Sequence, residues 1–240
     1  MSPETILLDG QQVAYTLKRS KRRTIGFTIS RDGLTIAAPQ RTSKREIERA
    51  LREKSRWILT KLAEWSARPK PPEPVFETGE TLSWLGGTLT LEIEPRGVRT
   101  RVTRRDDALH ITIDPDLEGA LRERTLKTAL ARFYKREGLT LMAPKVEAYA
   151  AALDRRVSKV MVRDQKRRWG SCASDASIRL NWRLMGFPVE LLDYVCAHEA
   201  AHLVEANHSA RYWAVVASIM PDWKQRRARM RAEADIWVPF

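Results

Sequence analysis

A chain of 240 residues with 43% hydrophobic and 30% charged side chains is long enough to bury a sizeable core, and its composition is that of a globular protein. Its two cysteines, Cys172 and Cys196, build no disulfide framework, and no apolar run approaches the ~20 residues that span a bilayer. The formal net charge of +13 sits mainly at the front, where residues 1–70 hold 16 Lys/Arg against 7 Asp/Glu.

The first residues lack the basic region and apolar core of a secretory signal, so a reducing, bacterial-type cytoplasm is expected, with no membrane partner. A basic front end can attract nucleic acid or a nucleotide, or simply solvate a surface. No aromatic-interleaved recognition motif accompanies it, so charge alone admits nucleic acid as a partner.

Residues 13–17, 23–30 and 34–37 are rich in β-branched side chains, with Asp32 and Gly33 as a hairpin signal. They predict a small antiparallel sheet that ends at Pro39. Ser43 and Glu46 form a capping box that opens a helix to about Ala67, striped by Ile47, Leu51, Ile58, Leu62 and Trp65. Trp57 adjoins the stripe and is expected to pack with it. Residues 68–74 hold four of the twelve prolines and read as an extended connector.

Beyond it, Gly86 and Gly87 sit between two apolar runs as a second hairpin, and strands are expected over 98–103 and 108–113. His110 alternates with apolar neighbours as an exposed strand residue. A helix is expected from Asp116 to about Leu153, kinked or broken at Gly138 and Pro144. Residues 157–163 and 168–181 read as strands, with a turn at Ser174 and Asp175. Ile178, Leu180, Trp182 and Leu184 alternate with Arg179, Asn181 and Arg183, predicting one buried and one polar face. Such a strand could pair with an extended peptide by main-chain hydrogen bonds. No internal repeat is evident.

Pro188 suits the first turn of a helix over 188–205 that carries His198-Glu199-Ala200-Ala201-His202. Positions four apart on a helix differ by about 40° around the axis and about 6 Å along it, so both imidazoles can reach one ion. Glu199 stands beside the first but off their common stripe. A continuing helix would carry His208 about 9 Å beyond His202 and about 120° round. Glu205, Ala206 and Asn207 must therefore turn, and Asn207 tolerates the left-handed backbone that often ends helices. With that turn, His198, His202 and His208 offer three nitrogens and leave a fourth position for water, the open arrangement of catalytic zinc. Three of the four histidines falling together argues against coincidence. Ser209 is expected to cap the next helix, to about Met220, and the arginines of the last helix to solvate it.

Several spaced runs, namely Arg168-Trp169-Gly170-Ser171-Cys172, Ile178-Arg179-Leu180-Asn181, the His198 to His202 motif, Asn207-His208-Ser209 and Trp213, resemble the YgjP-like metallopeptidase family, related to SprT-like zinc proteases. The resemblance extends from about Thr24 to Arg231. It implies an α+β, zincin-like catalytic domain, one Zn²⁺ on His198, His202 and His208, Glu199 as catalytic base, and a peptide or protein substrate. Were the third ligand acidic, Glu205 or Glu233 would supply it, although His208 fits better. The expected organisation is a basic sheet-plus-helix region over 1–68, a connector over 69–75 and a zincin-like hydrolase domain over 76–240.

Arg168 and Asn181 stand as candidates to bind the substrate main chain or steady an oxyanion, against a role in shaping the strand and its turn. Two rival readings remain. One keeps zinc and Glu199 but hydrolyses a nucleotide phosphoanhydride, without a glycine-rich phosphate cradle. The other makes zinc structural, closed by Cys172 or Cys196, in a nucleic-acid-binding protein.

Overall fold

In a computed structural model that describes residues 4–30, 32–67, 74–165 and 168–233, Asp9 and Gly10 both take left-handed backbone, with φ of 46° and 83°. The tight turn they make pairs β1 (Glu4–Leu8) antiparallel with β2 (Gln11–Ser20). β2 pairs in parallel with β4 (Gly33–Pro39), whose other edge takes β3 (Gly26–Ser30) antiparallel. The sheet is therefore mixed, not antiparallel throughout. β4 occupies the interior because Leu34, Ile36 and Ala38 are all buried, whereas β3 has no fully buried residue and lies at the edge.

Ile6, Leu8, Val13 and Tyr15 point to the same face as these β4 residues, as a period of two requires, and Ile47, Leu51 and Ile58 complete the cluster. The Ser43–Glu46 capping box is formed, with Ser43 N–H donating to Glu46 at 2.8 Å. The predicted single helix is two, α1 (Lys44–Glu53) and α2 (Ser55–Ser66), because Lys54 leaves helical geometry at φ −106°, ψ 10°. Trp57 does not join the core and is 44% exposed. The chain divides into compact units at residues 1–70 and 71–240. The proline-rich connector expected over 69–75 lies mostly outside the described residues.

The second unit opens on the same design. β5 (Thr81–Trp84), β6 (Gly87–Pro95), β7 (Arg101–Arg105) and β8 (Ala108–Ile113) lie in the order β5-β6-β8-β7, again antiparallel, parallel, antiparallel. Leu85 and Gly86, with φ of 48° and 87°, make its first hairpin turn. Leu82, Trp84, Leu89, Leu91, Leu109, Ile111 and Ile113 fill the strand positions that the buried residues of β1, β2 and β4 fill in the first unit. A four-stranded motif thus occurs twice, although the sequence shows no evident repeat. Inward alternation and turn geometry are retained, while most side-chain identities are not.

This sheet packs on α3 (Gly119–Ala152), which runs continuously through Pro144. Gly138 serves packing and does not break the helix: a Cβ there would stand 3.3 Å from Met185 Cγ and 3.0 Å from Met142 Cε. Tyr134 meets Trp84 and Trp182 edge-on at 5.3 and 5.7 Å, and its hydroxyl donates to the Ser83 carbonyl at 2.9 Å.

A third sheet, β10-β11-β9, joins β9 (Lys159–Arg163), β10 (Gly170–Cys172) and β11 (Ser177–Asn181). β11 is central, so Ser177 and Asn181 are buried, while Arg179 and Arg183 on the expected polar face are half-buried. The alternation expected to reach Leu184 stops at Asn181. Its side-chain oxygen accepts from Arg183 N–H at 3.1 Å and starts a 3-10 turn over Trp182–Gly186. The buried helix α4 (Val189–Ala201) packs on α3, β10, α5 (Ala210–Ile219) and α6 (Trp223–Ala232). On α4, Asp193 accepts from Lys145 at 3.1 Å, Tyr149 at 2.9 Å and Arg226 at 3.2 Å, tying α3 and α6 to it. Among the described residues no helix is long and apolar enough to cross a membrane.

Candidate metal centre

α4 ends at Ala201, one turn earlier than predicted, and His202 is its C-cap. Leu203 and Val204 N–H donate to the carbonyls of Ala200 and Ala201, each at 3.0 Å, tightening the last turn. Asn207 contributes no positive φ to the reversal. The chain tightens through short-range hydrogen bonds, and Ser209 N–H donates to the Asn207 carbonyl at 2.7 Å. Ser209 then caps α5, accepting from Tyr212 N–H at 3.3 Å.

This turn brings the three histidines together. One ring nitrogen from each of His198, His202 and His208 lies within 4.8 Å of the others, a group that could hold a metal ion. Nε2 of His208 and Nε2 of His198 are 3.1 Å apart. His202 Nδ1 lies 3.1 Å from the Glu205 carbonyl, which can only accept, so Nδ1 carries the proton and Nε2 keeps its lone pair. Burial holds the His198 pKa down to about 3, and also lowers that of His202, so both rings stay in the neutral form that ligates. Three imidazoles converging on one point suit a divalent cation of the zinc type.

No cysteine or carboxylate joins this cluster among the described residues. Cys172 Sγ lies 3.7 Å from its neighbour's carbonyl, at Ala173, and Cys196 is buried, with its thiol pushed up by desolvation. Glu205 faces Arg211 at 3.8 Å and Glu233 accepts from Arg229 at 3.0 Å, so neither acidic alternative is drawn into the group. His110 lies apart on β8, 2.9 Å from Glu92.

Tyr212, which sequence reasoning passed over, touches all three rings. It stacks on His202 at 4.5 Å and meets His208 and His198 edge-on at 4.7 and 5.4 Å. Its hydroxyl donates to the His198 carbonyl at 2.9 Å. Its place in the first turn after the Ser209 cap, four residues from His208, was the available signal. Trp213 stacks on His208 at 5.7 Å.

Glu199 is only 4% exposed. Burial pushes its pKa up to about 8, opposed by the Arg168 guanidinium and by a hydrogen bond from Cys172 N–H. Gly170 lies against the carboxylate, and any side chain there would collide with it. The three histidines and Glu199 share a cleft of about 760 Å³ with residues of β10, and with Tyr194, Arg168, Arg227 and Arg231. Asn181 does not line it. Its amide donates to the carbonyls of Gln165 at 2.7 Å and Arg168 at 3.1 Å, so its polar atoms are occupied within the fold.

Residues 23–233 match the family model described as YgjP-like, metallopeptidase domain. No curated protein matches the chain. The crystal structure of the metallopeptidase zymogen of Pyrococcus abyssi abylysin is similar over 38% of this chain and 93% of that one, at 21% identity and a TM-score of 0.36. The family match takes in the His198–His202 helix, the bend to His208 and the strand against Glu199, and the chain therefore belongs to the YgjP-like metallopeptidase domain family.

Proposed function

We propose that the chain is a zinc-dependent peptidase, with His198, His202 and His208 holding the ion and Glu199 serving as general base. The observation that carries this reading is the convergence of three imidazole nitrogens within 4.8 Å, in one cleft with a buried carboxylate. Bound there, zinc would polarise the scissile carbonyl and lower the pKa of water from about 15.7 towards about 7.

The protein's own groups supply the proton traffic. Glu199 takes a proton from the attacking water as its oxygen bonds to the carbonyl carbon. It then delivers that proton to the amine nitrogen as the C–N bond breaks. Glu199 accepts that proton in its ionised form, which the Arg168 guanidinium and the Cys172 N–H both favour. The N–H of Cys172 and the close-packed Gly170 fix its orientation. β10 is an edge strand bordering the cleft, so those of its main-chain groups not taken up by β11 or by Glu199 can hold an extended peptide beside the histidines. Arg168, on the cleft wall next to β10, is the substrate contact this reading retains. Asn181 is assigned the positioning of the Gln165 and Arg168 main chain.

The test is Glu199→Gln, assayed beside wild type on unfolded protein, peptides and nucleoside triphosphates. Zinc content should persist while peptide hydrolysis falls by about 10²–10⁴-fold. Turnover of triphosphates alone would establish the phosphoanhydride reading in place of this one.

A further inference from the structure

α6 presents its arginines on two sides. Arg226 pairs with Asp193 at 3.2 Å and Asp222 at 2.8 Å, and Arg229 pairs with Glu190 and Glu233 at 3.0 Å each. Arg227 and Arg231, one turn apart, have no carboxylate partner among the described residues, and both line the cleft of the three histidines. Like charges at this spacing weaken a helix, so the pair does not serve the stability of α6 itself.

Arg227 is held in place by aromatic rings. Its guanidinium carbon lies 4.4 Å from the Trp213 ring centroid and 5.9 Å from that of Trp223, and the two indoles stack at 4.3 Å and 14°. A guanidinium supported this way keeps its plane fixed and its N–H fork free for a planar anion. Arg168, whose guanidinium also acts on the Glu199 carboxyl, adds a third cation to the same cleft. Glu199 is the only acid among the described cleft residues, and it is buried. Among the described residues no carboxylate forms an ion pair with Arg227 or Arg231.

We infer that Arg227 and Arg231 form a carboxylate-recognising wall, so that the favoured substrate is a peptide presenting an acidic side chain or a free C-terminal carboxylate near the scissile bond. The inference rests on the peptidase reading. A guanidinium fork matches a carboxylate with two parallel hydrogen bonds, and it discriminates a carboxylate from its amide isostere.

The experiment measures peptide binding to zinc-loaded Glu199→Gln protein by fluorescence anisotropy, so that no turnover is needed. The peptides differ only by Glu against Gln at each position, or by a free against an amidated C-terminus, which separates the two carboxylate sources. An acidic member should bind at least about tenfold more tightly than its amide counterpart. Arg231→Gln and Arg227→Lys, each in the Glu199→Gln background, should shrink that ratio. Arg231→Glu should turn the preference towards a Lys-containing peptide. Arg231 is exposed, so its variants test recognition without disturbing the core. Equal binding of acid and amide, a ratio unchanged in both arginine variants, or tighter binding of a nucleoside triphosphate would overturn the inference. If the acidic peptides bind as expected and wild type cleaves none of them, the peptidase reading fails while carboxylate recognition stands.

Discussion

A β-carbon added at Gly170 would stand 2.5 Å from Oε1 of Glu199 and 2.5 Å from its Cγ. No side chain fits there unless β10 or the carboxylate moves. Gly170→Ala should therefore lower kcat by at least about tenfold, because displacing a catalytic group by about 1 Å is costly. Zinc content should stay close to wild type, and overpacking should cost about 1–3 kcal/mol of stability. Steady-state kinetics, metal analysis and urea unfolding on one preparation check all three. An unchanged kcat would show that Glu199 is not placed by this contact.

Tyr212 holds the histidine cluster from beneath through one hydrogen bond and three ring contacts. Tyr212→Phe keeps the ring and loses the bond to the His198 carbonyl, at a cost of about 0.5–1.5 kcal/mol. Tyr212→Ala removes the support as well and should weaken zinc binding by about 10–100-fold. Competition against a chromophoric chelator measures both. Equal affinity in wild type and the alanine variant would remove Tyr212 from the metal centre.

The metal-free protein should show a stability maximum set by two opposing groups. His198 has its pKa depressed from 6.5 to about 3, chiefly by burial, so between these values the unfolded chain binds the extra proton. That contribution is lost as pH falls. Glu199 has its pKa raised from 4.5 to about 8 by burial, so between these values the folded protein binds the extra proton. That contribution is lost as pH rises. The slopes oppose each other from 4.5 to 6.5, leaving a plateau, with losses below it and again up to about 8. Urea unfolding in excess chelator across this range should show the alkaline loss in wild type and a weaker one in Glu199→Gln. Equal alkaline slopes in the two proteins would refute the buried-carboxyl account.

What was legible in the sequence was whatever local chemistry decides. The capping residues Ser43 and Ser209, the turn at Gly86 and the three-histidine spacing all depend on neighbours within a few positions. The motif residues carried the family resemblance to about Thr24–Arg231, close to the matched 23–233. Less legible was anything set by distant packing. The parallel pairing of β2 with β4 and of β6 with β8 depends on which strand is most buried, not on any turn. Pro144 lies within an unbroken helix, and Gly138 is explained by Met185, 47 positions away. The duplicated sheet was hidden because alternation survives where identity does not. Asn181 looked like a substrate contact because it lies on the strand before the motif helix, yet burial in the central strand commits its amide to the main chain. Gly170 and Tyr212 act through a carboxylate and rings that only the fold brings to them.

The central claim is that one ion sits on three imidazoles and no sulfur. X-ray absorption at the zinc edge of the purified protein tests it most directly. The account predicts a first shell of nitrogen and oxygen only, at about 2.0–2.1 Å, with imidazole scattering that weakens by one ring in His208→Ala. A sulfur shell at about 2.3 Å, or a zinc environment unaltered in His208→Ala, would contradict it.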